Sequence, residues 1–166
     1  TLDAILPPLA STKPSYTMAI KTLPSLNRTL QETHTWLNDI AEAIEDQRIE
    51  MAYHAMRGVL CTLRDRLPVN EVFDLSAQLP MLVRGILFEG YRPSHKPETF
   101  GRDEFLERVR VELQAVGGAN PERITRGVFH VLSARVGAGE IDDIRNELPK
   151  DLRALWPAPG AQEATT

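Results

Sequence analysis

The chain has 166 residues, enough for one domain or two very small ones. A hydrophobic content of 42%, a charged content of 25% and a formal net charge of −4 describe an ordinary soluble domain and give no electrostatic basis for nucleic acid or an anionic membrane as the main partner. A lone cysteine, Cys61, excludes an intrachain disulfide and a thiolate metal cluster and fits a reducing, cytoplasmic setting, and no apolar run approaches the length of a membrane span.

Residues 1–24 hold Pro7, Pro8, Pro14 and Pro24, too dense for a continuous helix, and read as a proline-rich arm. Within it Leu2, Ile5, Leu6 and Leu9 form a short apolar cluster suited to docking on a partner. No basic region followed by an apolar stretch marks a secretory signal. The periodicity then predicts a helix from near Pro24, with Leu26, Leu30, Leu37, Ile40 and Ile44 on one inward stripe. A second is predicted over about 49–67, with Ala52, Met56, Val59, Leu60 and Leu63 facing inward and Pro68 as its stop. Asn70 is a candidate cap for a short helix over 71–78, and Pro80 opens a fourth through Leu87. Gly90 to Phe100, with Pro93 and Pro97, reads as a loop. The series then restarts: a helix over about 103–116 ended by Gly117 and Gly118, then Asn120, Pro121 and Glu122 as cap, first-turn proline and first-turn acid of a helix to about Val136. A helix over 140–147, Leu148-Pro149 and a last turn to Trp156 complete it, and no strand pattern occurs.

The restart is a repeat. An offset of 69 residues aligns 36–87 with 105–156 without a gap, and eleven pairs are identical: Leu37/Leu106, Arg57/Arg126, Gly58/Gly127, Val59/Val128, Leu63/Leu132, Arg66/Arg135, Glu71/Glu140, Asp74/Asp143, Leu79/Leu148, Pro80/Pro149 and Arg84/Arg153. Average composition supplies about three by chance, so the match is a signal. The expected fold is all-α: two homologous units of three to four helices in one bundle with pseudo-twofold symmetry. The expected organisation is an arm at 1–24, a first repeat at 25–90, a connecting loop at 91–102, a second repeat at 103–157 and a tail at 158–166, with one globular domain overall. The mid-helix glycines Gly58 and Gly127 point to close helix approach. The matched arginines Arg57, Arg84, Arg126 and Arg153 are expected to brace each unit against Glu71, Asp74, Glu140 and Asp143.

No P-loop, GxGxxG or GxSxG pattern is present, and His34, His54, His95 and His130 form no spaced ligand set, so no catalytic residue, metal or cofactor is expected. Cys61 and His130 occupy equivalent repeat positions, a remote basis for a Cys–His pair set against a buried thiol. The junction from Phe88 to Pro97 has no counterpart in the second copy. Its neighbourhood, Arg84, Glu89, Tyr91, Arg92 and Lys96, is the candidate ligand-binding group, set against a connector whose Phe88 and Tyr91 plug the seam.

The stretch from Arg64-Asp65-Arg66-Leu67-Pro68 through Ala77-Gln78-Leu79-Pro80-Met81-Leu82-Val83-Arg84-Gly85-Ile86 to Glu89-Gly90-Tyr91, with Gly139-Glu140-Ile141 through Leu155-Trp156-Pro157, resembles the bacterial family catalogued as domain of unknown function 2267. The resemblance covers roughly 27–157. Tyr91 stands where the family pattern implies tryptophan in many members. The resemblance implies a small helical protein and carries over no catalytic residues. The leading functional expectation is a non-enzymatic interaction, regulatory or assembly module, with another protein or a second copy as partner. Binding of a small molecule or anion at the seam between repeats is the alternative. Nucleic-acid binding through the helices around Leu79-Pro80 ranks below both, because the net charge is acidic.

Overall fold

The structure is a computed structural model that describes residues 23–158; the arm with Leu2, Ile5, Leu6 and Leu9 and the tail beyond 158 lie outside the described residues. Among the described residues there are eight α-helices and no strand: α1 Pro24–Ala43, α2 Ile49–Arg66, α3 Val69–Ala77, α4 Met81–Phe88, α5 Arg102–Leu113, α6 Pro121–Arg135, α7 Ala138–Glu147 and α8 Lys150–Arg153. Single 3-10 turns occupy Pro93–His95 and Gln114–Val116.

Local chemistry sets most helix ends. Asn120 Oδ1 accepts from Glu122 N at 3.0 Å and Arg123 N at 3.2 Å, satisfying two first-turn amides ahead of α6. Gly117 and Gly118 take φ of 88° and 77°, a left-handed turn that a side chain would strain. Two expected starts move. Pro68, not Asn70, precedes α3, since its fixed φ of −55° with extended ψ launches the helix at Val69; Asn70 instead donates to Glu71. Pro80 and Pro149 stand one residue before α4 and α8 rather than inside them. The helix expected over 103–116 tightens into its 3-10 turn after Leu113.

The core lies around α2 and α6. Ala52, Ala55, Met56, Val59, Leu60 and Leu63 of α2 are fully buried, and Ile124, Val128, Phe129 and Leu132 of α6 nearly so. They join residues of the other helices in one continuous cluster closed by Phe129 stacked on Trp156, centroids 4.0 Å apart. α1 packs on α2 and α6, α5 on α2 and α6, and α3 meets α7.

Two crossings set the spacing of these helices. A Cβ on Gly58 would lie 3.1 Å from Glu112 Cβ, tighter than ordinary van der Waals contact, so α2 and α5 pack closely there. A Cβ on Gly127 would lie 2.6 Å from Ile44 Cγ2 and 3.1 Å from Ala43 O, so α6 and the end of α1 do the same. The glycines are 69 residues apart, and so are Ala43 and Glu112. The ends of α2 and α6, at Arg66 and Arg135, share that spacing, as do the starts of α3 and α7, at Val69 and Ala138, and of α4 and α8, at Met81 and Lys150.

The largest difference in length between helices at this offset is between α1, with 20 residues, and α5, with 12. The inward stripe expected on α1 is divided. Leu37, Ile40 and Ile44 are buried, whereas Leu26 and Leu30 remain 44% and 45% exposed, although Thr29 between them is buried.

Alanine at Gly127 should cost about 1–2 kcal/mol, since overpacking outweighs the roughly 1 kcal/mol gained in helix propensity. Gly139→Ala, with open space around the added carbon, should be neutral or stabilising. Urea denaturation of the two variants reads the difference.

Candidate functional site

The two glycine crossings create two grooves of different content. In the α2–α5 groove, Glu112 projects from α5 across Gly58 and meets His54 Nδ1 at 2.8 Å and Arg57 Nη1 at 2.5 Å. Arg57 Nε also donates to Glu89 at 3.2 Å. Burial pushes the Glu112 carboxyl up, but its hydrogen bonds to His54 and Arg57 and their charge outweigh that and hold it below the usual glutamate range. The groove is plugged by the chain's own carboxylate.

In the α1–α6 groove the residue 69 positions before Glu112 is Ala43. A cavity of about 620 Å³ opens there, lined by Ala43, Glu45, Asn120, Glu122, Arg123, Arg126, Gly127 and His130. A smaller one of about 270 Å³, sharing Ala43 and His130, continues along the helices to Asp39 and Ala134. A third of about 600 Å³ follows at Ala134, Arg135, Trp36 and Gln78. Glu122 bridges Arg102 at 2.6 Å and Arg126 at 2.9 Å, and Arg126 Nη1 donates to Ala154 O at 2.8 Å. Arg123 Nη1 donates to Ile44 O, which caps the end of α1. Glu45 has a left-handed backbone, φ 53°, the only non-glycine residue among those described to do so.

The residues named from sequence at the junction are drawn into internal contacts. Arg84 Nε and Nη2 donate to Ser76 O and Leu79 O, closing the turn between α3 and α4. Glu89 pairs with Arg57. Lys96 is nearly enclosed, its side chain 8% exposed, and bridges Asp65 at 3.1 Å and Glu98. Arg64, equally buried, donates to Leu87 O at 2.6 Å and Glu89 O at 2.8 Å and lies 5.2 Å from the centre of the Tyr91 ring. The Tyr91 hydroxyl is buried without a hydrogen-bond partner among the described residues. Arg92 is exposed at the start of the 3-10 turn. Phe88 and Tyr91 pack against the core, as the connector reading expected. The junction is a clasp that ties the linker to the end of α2, reinforced by Arg108, which meets Glu98 at 2.7 Å and stacks on Phe100 at 4.1 Å.

The expected arginine–carboxylate braces take other partners. Arg153, like Arg84, donates to a turn carbonyl, Leu148 O at 3.1 Å. The matched acids instead face one another where α3 meets α7. Burial, then the charges of Asp143, Asp74 and Glu147, raises the Glu71 carboxyl; burial, then Asp74, Glu71 and Asp143, raises that of Glu140. Cys61 Sγ donates to Ile86 O toward α4, while His130 faces the α1 groove, so the two do not form a pair. Burial pushes the Cys61 thiol up, away from nucleophilic thiolate character. No group of three or more His, Cys, Asp or Glu among the described residues is placed to hold a metal ion.

Residues 33–155 match the family described as "Uncharacterized conserved protein (DUF2267)". The chain belongs to this family. The match begins inside α1, so the helical segment 24–32 lies outside it. No curated protein matches the chain. No helix among the described residues is long and apolar enough to cross a membrane.

Sequence reasoning sought function where the repeats lack counterparts and passed over Ala43, Glu45, Asn120 and Arg123. The signal that finds them is a mismatch inside the alignment, Ala43 against Glu112.

Three variants test these contacts. Lys96→Ala removes one partner each from Asp65 and Glu98, which keep Arg64 and Arg108, and should cost about 1–2 kcal/mol. Glu112 is ionised to lower pH in the folded chain than in the unfolded one, so its contribution is full above about pH 4.5 and fades as pH falls through the folded value. Glu112→Gln should therefore lower stability at pH 7 by about 1–2 kcal/mol and lose that effect in acid. Glu140 has the opposite sign: its raised carboxyl destabilises above the folded value and gains stability as pH falls toward about 4.3. Glu140→Gln should raise Tm at pH 7, with the gap closing on acidification. Thermal melts across pH 3–8 read both.

Proposed function

We propose that this chain is a non-enzymatic assembly module made of two homologous helical units packed about a pseudo-twofold axis, and that it associates with a second copy of itself through the start of α1. The two-unit reading is supported by one 69-residue offset shared by sequence identities, helix ends and glycine crossings. A twofold exchange also accounts for α1 lying on α6 as α5 lies on α2, and for α3 meeting its own counterpart α7.

The association reading is carried by the start of α1. Leu23, Leu26 and Leu30 lie on one side of the helix entry and are 64%, 44% and 45% exposed. Leucines at helical spacing on one uncovered face of a helix seek a second apolar surface. A twofold pairing of this face with the same face of a second copy covers leucine with leucine. Because the segment precedes the family match, this association belongs to the chain's own extension. A second reading, binding of a small anion at the seam between units, is favoured by the α1–α6 cavity with Arg123, Arg126 and His130 on its wall.

Sedimentation velocity of the full chain across micromolar to millimolar concentrations should show a reversible dimer. The double variant Leu26→Glu, Leu30→Glu should weaken it at least about tenfold with helicity unchanged. A wild-type chain that stays monomeric over the whole range contradicts the proposal.

A further inference from the structure

We infer that the α1–α6 groove is a binding site for a carboxylate, one that takes the place Glu112 occupies in the α2–α5 groove. The choice of ligand rests on the equivalence of the two units; the cavity and its lining do not. Each feature that receives Glu112 has a counterpart 69 residues on. Gly58 corresponds to Gly127, Arg57 to Arg126, His54 to Arg123 and Cys61 to His130. The glycine floor is kept, the arginine is kept, the His54 position gains a guanidinium, and an imidazole is added at the thiol position. The one group removed is the carboxylate, since Glu112 corresponds to Ala43. Where Glu112 stands, its oxygens meet two nitrogen donors within 2.8 Å. Where Ala43 stands, there is a cavity of about 620 Å³.

The charges already on the wall narrow the ligand. Glu122 is held between Arg102 and Arg126, so Arg126 supplies mainly charge. Arg123 makes one hydrogen bond among the described residues, through Nη1, leaving its Nε and Nη2 without a partner among them, and it shares the cavity wall with His130. Glu45 and Glu122 add two negative charges to the lining. Against the two arginines these leave a lining with no net charge, so a monoanion held by directed hydrogen bonds from Arg123 fits better than phosphate or sulfate, whose second charge would face those glutamates. The volume leaves room for more than the carboxylate itself, so the source is either a free small acid or the end of an acidic side chain.

Acetate and N-acetylglutamate amide, titrated into the full chain and followed by the NMR shifts of the His130 ring and the Gly127 amide, test the inference. Both should shift the same signals saturably, while acetamide and sulfate should not. Tighter binding of the glutamate amide assigns the source to an acidic side chain, and equal binding to a free acid. Ala43→Glu installs the missing carboxylate and should abolish the response while raising Tm. If that variant fails to fold, Arg123→Gln should weaken acetate at least about tenfold. Glu112→Ala should lose stability that acetate restores in a dose-dependent manner; failure of that rescue alone, with acetate still bound at Ala43, faults the equivalence of the units and leaves the site standing. Unchanged His130 and Gly127 signals, shifts reproduced by acetamide, or acetate shifts that survive Ala43→Glu overturn the inference.

Discussion

Two close contacts between a glycine of one helix and the residues of another govern this protein. At Gly58 and Gly127 the absence of a Cβ lets α2 settle against α5 and α6 against the end of α1. Each glycine forfeits about 1 kcal/mol of helix propensity. The close approach offsets that loss, because it brings the stripes of four long helices into one core instead of two small ones. A unit of this size alone buries too little apolar surface to be stable. Interlocked, the two halves enclose Phe105, Phe129, Met56 and Leu60 completely.

Once the crossings fix the spacing, what stands beside each glycine decides what the groove does. Glu112 turns one crossing into a closed, charged lock with His54 and Arg57. Ala43 leaves the other open. Elsewhere α1 is longer than α5 by about two turns, and the linker that follows α4 is strapped to α2 by Arg64 and Lys96 and to α5 by Arg108. The strap is structural, which is why Arg64 and Lys96 are buried rather than displayed.

Much of the fold was legible in the chain because its signals are local or periodic. Proline placement, the Asn120 cap and the Gly117-Gly118 stop act within a few residues, and the stripes on α2 and α6 follow from helical period alone. The 69-residue spacing of Gly58 and Gly127 made the close crossings legible too, since two mid-helix glycines at one offset point to one reason. What escaped depends on distance in sequence. Leu26 continues the stripe of Leu37 and Ile40 in pattern, and nothing local says that it stays exposed. Arg84 and Arg153 find backbone carbonyls in their own turns rather than the matched acids, a choice set by three-dimensional reach. Lys96 reads as an exposed loop base until Asp65 and Glu98 are seen around it.

The central claim is that the two halves form one cooperative structure through the glycine crossings. Native-state hydrogen exchange of the full chain over a series of urea concentrations measures this directly. The amides of α2 and α6 should converge on one opening free energy with one urea dependence, equal to those of global unfolding. If α6 and α5 instead exchange through a separate opening of lower free energy while α2 stays protected, the halves are independent and the account fails.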